Sequence, residues 1–202
     1  MRPDVPPLRF RHRAAYGAGQ LAEGVVTLAF MIYVLFYYNQ VLGLSGSAAG
    51  FALFVALLVD AVSDPLMGTI SDRTRSALGR RHVYLYAAVV PLPLAFFGLF
   101  SPPASLGPTG LFIWLTVFSV LARLALTVFF VPHLALGAEL SSDYHERNRI
   151  VAYRQFFSML GYLVALLVGF GVFFVPTASH ANGQMNPSAY AALGATVGVI
   201  LA

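Results

Sequence analysis

The chain has 202 residues, 58% of them hydrophobic and only 10% charged, with a mean hydropathy of +0.76. Soluble domains stand nearer half apolar and a quarter charged, so this is the composition of a membrane protein. The absence of cysteine excludes a disulfide framework, a thiol nucleophile and a thiolate-held metal.

The first stretch, "MRPDVPPLRFRHRAAYGAGQ", is polar and proline-rich and carries Arg2, Arg9, Arg11 and Arg13. It lacks the apolar core and small-residue cleavage site of a signal peptide. Residues 1–15 therefore read as a retained cytoplasmic tail ahead of a helical bundle over 16–202. Crossing a bilayer core takes about 20 largely apolar residues. Five stretches meet that need: Tyr16–Leu42, Ser47–Ile70, Val83–Phe100, Thr109–Leu136 and Val151–Val175. A sixth begins near Ala189 and is still apolar at Ala202, too short to cross. The expectation is a fragment that stops inside a sixth helix.

The connectors alternate in character. "GLSGS", "SPPASLGPTG" and "PTASHANGQMNPS" contain no Lys, Arg, Asp or Glu. The remaining two hold Arg73, Arg75, Arg80 and Arg81, and then Arg147, Arg149 and Arg154. With the tail, that puts all but Arg123 of the twelve basic residues on one side. Short basic loops stay cytoplasmic, which predicts an N-in topology. The basic pI of 9.6 thus reflects orientation in a membrane and not a nucleic-acid surface.

Four acids and arginines fall well inside predicted spans, away from their ends: Glu23, Asp60, Asp64 and Arg123. An acid at the centre of a spanning helix costs roughly 2.5–3.5 kcal/mol, so such residues face a cavity or a partner. Asp60 and Asp64 are four apart and stack on one face. Two unpaired carboxylates at that spacing repel, and a bound cation or a shared proton relieves them. Ser63 adds a hydroxyl, and Pro65 removes a backbone donor there. The alternative is a structural lock in which the aspartates pair with Arg123 or a neighbouring helix. The run "FMIYVLFYYNQ" reads as an interfacial aromatic belt. His133, after Pro132, is a candidate proton relay or the end of a polar cavity.

These residues carry a recognisable pattern. "GTISDRTRSALGRR" resembles the loop between helices two and three of the major facilitator superfamily, with extra residues before its second glycine. The matching positions are Gly68, Asp72, Arg73, Gly79, Arg80 and Arg81, which the resemblance implies form a conformational gate. "YGAGQLAEG", "DAVSDPLMG", "VPHLALGAELS" and "YRQFFSMLGY" are similar to the glycoside–pentoside–hexuronide:cation symporters, the melibiose permease group. The implied fold is all-α: the six-helix N-terminal half of a twelve-helix bundle, its sixth helix truncated. The implied site holds a coupling Na⁺, Li⁺ or H⁺ on Asp60 and Asp64, with Ser63 where the family has asparagine and Thr127 at its helix-four threonine. No other cofactor is implied. The sugar site departs from the family: its helix-one aspartate falls at Gly24, its helix-four aspartate at Phe130 and its helix-five arginine at Gln155. Candidates for the substrate cavity are Glu23, Arg123, Gln20 and Arg154.

The expected function is cation-coupled symport of a sugar or glycoside-like solute by alternating access, in a bacterial inner membrane, with the missing C-terminal half as partner. The chain is not expected to be an enzyme. A Mg²⁺-dependent membrane enzyme would set a cluster of acids near the membrane face. A non-transporting scaffold or sensor of the same fold is the other alternative, and a non-sugar solute such as a lysolipid is the alternative cargo. The topology is checked by cysteines placed singly at Ser76 and Ser105. An impermeant thiol reagent added to intact cells is expected to label position 105 alone; labelling of position 76 alone reverses the orientation.

Overall fold

The computed structural model describes residues 9–201. Arg2, the rest of the tail before Arg9, and Ala202 lie outside the described residues. Six helices follow in order: α1 Phe10–Val41, α2 Gly46–Arg73, α3 His82–Leu99, α4 Pro108–Glu139, α5 Tyr144–Phe173 and α6 Pro187–Leu201. The first five are each long and apolar enough to cross a membrane. The described residues contain no strand.

Local chemistry sets the helix ends. The Ser45 hydroxyl accepts the Ala48 amide at 3.3 Å, and the Asp143 carboxylate accepts the Glu146 amide at 2.8 Å, satisfying first-turn donors. Pro108 opens α4 at its first turn, where a missing N–H costs nothing. α3 loosens at Val89–Val90, just before Pro91. α1 and α5 begin earlier than their apolar stretches, at Phe10 and Tyr144. The hydropathy pattern marks where lipid is tolerated, whereas the helices run on into polar sequence. Arg13 on α1 and Glu146 on α5 meet there in a 2.7 Å ion pair.

The main packing pairs are α1 with α5, α2 with α4, α3 with α4 and α3 with α6. Exchanging the first three helices with the last three maps α1–α5 onto α4–α2 and α3–α6 onto itself. That resembles two three-helix repeats, although the α3–α4 packing has only a slight counterpart between α6 and α1. Lipid tails are as apolar as leucine, so close packing and not hydrophobicity must join the helices. Small residues supply it. A methyl group on Gly24 would collide with the carbonyl oxygen of Ser158, and one on Gly161 with that of Leu21. α1 and α5 therefore cross backbone to backbone. On α2, Ala49, Ala52 and Ala56 form a fully buried stripe towards α4. Ala122 of α4 is equally buried.

The aromatic run of α1 is not a lipid-facing belt. Tyr33, Tyr37 and Tyr38 are all buried. Tyr33 and Tyr38 donate to the carbonyls of Ala165 and Leu99, both at 2.8 Å. Tyr37 stacks on Tyr190 of α6 with centroids 4.3 Å apart. The rings glue α1 to α3, α5 and α6 because each hydroxyl bonded this way finds an acceptor inside the bundle.

The crossing predicts a contrast between glycines. Gly161→Val is expected to destabilise the protein by about 3 kcal/mol through overpacking. Gly50→Ala, where added atoms meet nothing within 4 Å, stays within about 1 kcal/mol and tends to stabilise the helix. Thermal unfolding in detergent compares the two.

Candidate functional site

Between α1, α2 and α4 lies a cavity of about 140 Å³. α1 contributes Glu23 and Thr27, α2 contributes Asp60 and Asp64, and α4 contributes Arg123, Leu126, Thr127 and Phe130. Three carboxylates thus share one space with one guanidinium.

The polar groups come in two levels. Arg123 Nη1 donates to Asp60 Oδ2 at 2.7 Å, and Thr127 Oγ1 donates to Asp64 Oδ1 at 2.8 Å. Both pairs are separated by 63 residues. The constant offset means that α2 and α4 run parallel here and face each other in register. An i, i+4 pair on one helix therefore meets an i, i+4 pair on the other. Ser63 Oγ lies 3.4 Å from the Asp60 carbonyl and 3.5 Å from Thr127 Oγ1. Ser63, Asp64 and Thr127 stand together, with the Asp60–Arg123 pair one turn away.

Neither member of that pair is fully used. Asp60 Oδ1 and Arg123 Nε are buried without hydrogen-bond partners. The guanidinium lies over the Phe30 ring, 4.8 Å from its centroid, a cation–π contact that supports it from the apolar side. Thr127 spends its proton on Asp64, which leaves its oxygen lone pairs available. A buried free carboxylate oxygen and a hydroxyl oxygen are the donors that a hard monovalent cation takes.

Glu23 is held differently. Its Oε1 accepts from Thr27 Oγ1 at 2.9 Å. Its Oε2 accepts from Gln20 Nε2 at 2.9 Å and from Ser158 Oγ at 3.1 Å. Neutral donors orient the carboxylate, and among the described residues it forms no ion pair with an arginine. Of the four substrate-cavity candidates, Glu23 and Arg123 line this cavity and Gln20 braces Glu23. Arg154 does not join them; it lines a separate cavity with Tyr16 and Arg147. Gly24, at the position of the melibiose permeases' helix-one aspartate, sits at the α1–α5 crossing and has no room for a side chain. Phe130 presents a ring where those proteins carry a second acid. His133 is buried against Tyr16, ring centroids 4.5 Å apart. Its Nε2 lies 2.9 Å from the Tyr16 carbonyl, which commits it to packing.

The loop residues tie three helix ends together. Arg81 Nη2 lies 2.8 Å from both Asp72 Oδ1 and Glu139 Oε1, and Arg80 pairs with Glu139 as well. Gly79 takes the left-handed φ of 98° that turns the loop. Gly68 lies on α2 with Val131 nearby. Arg73 is exposed at the helix end and takes no part in this network. Thr27, Phe30, Ser158 and Glu139 are the participants that sequence reasoning missed. Thr27 had a legible signal, lying four residues after Glu23. Phe30, Ser158 and Glu139 act across helices and had none.

A family model described as MFS/sugar transport protein matches residues 15–202. An uncharacterized symporter of Synechocystis sp. is 32% identical over 166 residues, covering 80% of this chain and 30% of that protein. A putative glycoside/cation symporter of Escherichia coli is 31% identical, over 77% of this chain and 34% of the relative. A sphingosine-1-phosphate transporter of Mus musculus is 29% identical, over 77% and 31%. The chain spans about a third of the length of these relatives. It is a multi-pass membrane protein of the major facilitator superfamily and belongs, as an N-terminal half, to the MFS/sugar transport protein family.

Proposed function

We propose that this chain forms half of a cation-coupled symporter for a small hydroxyl-rich solute of the sugar or glycoside class, working by alternating access in a bacterial inner membrane with its N-terminus cytoplasmic. The supporting observation is the cavity, in which three carboxylates face one arginine. The excess negative charge favours a transported monovalent cation. Asp64, Thr127 and Ser63 would hold it, with the free Oδ1 of Asp60 as a further ligand. Arg123 is a tethered cation that competes for Asp60. A cation drawn to the aspartates loosens Arg123, and the freed guanidinium and the braced Glu23 become hydrogen-bonding groups for solute. Linkage makes this reciprocal: solute tightens cation binding by the same factor. The Arg80–Arg81–Glu139–Asp72 network would hold the arginine-rich side closed and break as the two halves of the full protein rock apart.

A second reading concerns the solute. Gly24 and Phe130 stand where the resembling sugar carriers have acids, and Arg123 supplies a positive charge. This favours a solute with an anionic or apolar part, and a relative named for sphingosine-1-phosphate transport fits that class.

In the full-length protein, Asp64→Asn is expected to abolish cation-driven accumulation while leaving thermal stability nearly unchanged. Thr127→Ala removes one neutral hydrogen bond and weakens cation affinity about fivefold. Asp60→Asn loses both coupling and stability, because it strands the Arg123 charge. The Asp60→Asn/Arg123→Gln double variant regains stability but not coupling. Cation-stimulated uptake beside unfolding temperature reads all four. Normal coupling in a folded Asp64→Asn protein overturns the cation reading, whereas recovered coupling in the double variant reduces Asp60 to a structural lock.

The network makes a separate prediction. Asp72→Ala is expected to slow uptake severalfold while equilibrium solute binding stays intact, measured by comparing vesicle transport with binding to purified protein. Loss of binding in a folded variant contradicts a purely gating role.

A further inference from the structure

The cavity that holds Arg154 lies apart from the transport site, at the arginine-rich end of the bundle, and measures about 260 Å³. Tyr16 of α1, Leu134, Gly137 and Ala138 of α4, and Ile150 and Val151 of α5 form a largely apolar wall. Its only charged groups are Arg147 and Arg154. They are seven residues apart, two turns and about 10 Å along one face of α5. Arg147 donates to the carbonyls of Ser141 and Ala138 at 2.8 and 3.3 Å. Arg154 lies beside the Tyr16 phenol. None of the ion pairs among the described residues includes either arginine. Arg13, Arg80, Arg81, Arg123 and Arg149, by contrast, each meet a carboxylate.

Arg147, exposed at the rim, and the half-buried Arg154 edge a largely apolar cavity lined by no carboxylate, a setting that suits an anion. Guanidinium forks match phosphate oxygens. The apolar wall adds a second requirement, because a bare inorganic anion gains nothing from Leu134, Ile150 or Val151. Val151 is half exposed and continues into an apolar face of Phe156, Met159, Leu163 and Leu167 that is uncovered in this half of the bundle. An acyl chain can therefore leave the cavity along α5. Basic pockets between spanning helices at the cytoplasmic side are suited to anionic headgroups. We propose that this cavity binds the phosphate headgroup of an anionic glycerophospholipid, with Arg147 at the rim and Arg154 two turns deeper. The bound lipid pins α1, α4 and α5 together at that end. The site does not depend on the transport reading.

Native mass spectrometry of the purified full-length protein titrated with phosphatidylglycerol, phosphatidylcholine or inorganic phosphate tests it. Phosphatidylglycerol is expected to bind and to raise the unfolding temperature. Arg147→Gln/Arg154→Gln is expected to weaken it at least about tenfold, from two lost charge-assisted contacts. Arg154→Lys keeps part of the affinity. Ala138→Trp, which fills the mouth from an exposed position, expels the lipid without unfolding the protein. Arg149→Gln, on the same helix but outside the cavity, leaves binding unchanged. Equal binding of phosphatidylcholine, or full binding by the folded double variant or by Ala138→Trp, overturns the proposal. Inorganic phosphate that displaces the lipid at comparable concentration also overturns it, in favour of a free-phosphate site.

Discussion

Everything polar inside this bundle answers to the cost of holding charge away from water. Three acids and one arginine lie well inside the apolar stretches of these helices, away from their ends, and each must find compensation from a neighbouring group. The parallel, in-register contact of α2 and α4 provides it for Asp60 and Asp64 at once. A shift of one residue between those helices would turn both pairs apart. The alanine stripe of α2 therefore has electrostatic as well as packing consequences: it sets the separation and register at which Asp60 meets Arg123 and Asp64 meets Thr127.

The same economy explains why the site is asymmetric. Asp64 is bonded by a neutral hydroxyl and has no cationic partner among the described residues, whereas Asp60 has Arg123. Of two acids on one helix face, one is paired with an arginine and the other is bonded by a neutral hydroxyl. Glu23 forms a third kind of site, oriented by Gln20, Thr27 and Ser158 without a positive charge. Its position depends on Gly24 and Gly161, because the close crossing of α1 and α5 is what brings Ser158 to it.

Towards the arginine-rich end the logic changes from burial to bracing. Arg81 bridges the ends of α2 and α4 through Asp72 and Glu139, and Arg13 joins α1 to α5 through Glu146. Each of these pairs joins a largely buried side chain, Arg81 or Glu146, to a partner on another helix or in the adjoining loop. The opposite end is tied by buried tyrosines donating to backbone carbonyls.

The class, the spans and the separation of charged from uncharged loops were legible in the sequence. They follow from local hydropathy and charge, and bilayer thickness converts those directly into helices. The pairing of Asp60 with Asp64 was legible too, since i, i+4 spacing is a property of one helix. What lies between helices was not. Whether Arg123 served Asp60, a solute or neither depended on which helix faced α2 and in what register. Arg154 read as a substrate-cavity residue because it stands one position before Gln155, where the resembling family has its helix-five arginine, yet the packing of α5 places it in another cavity. The tyrosines of α1 read as an interfacial belt because composition cannot say which face of a helix meets lipid. Small residues decided all three, by fixing how closely and at what rotation the helices pack. A glycine in sequence shows that a close approach is allowed; only the tertiary structure shows what approaches.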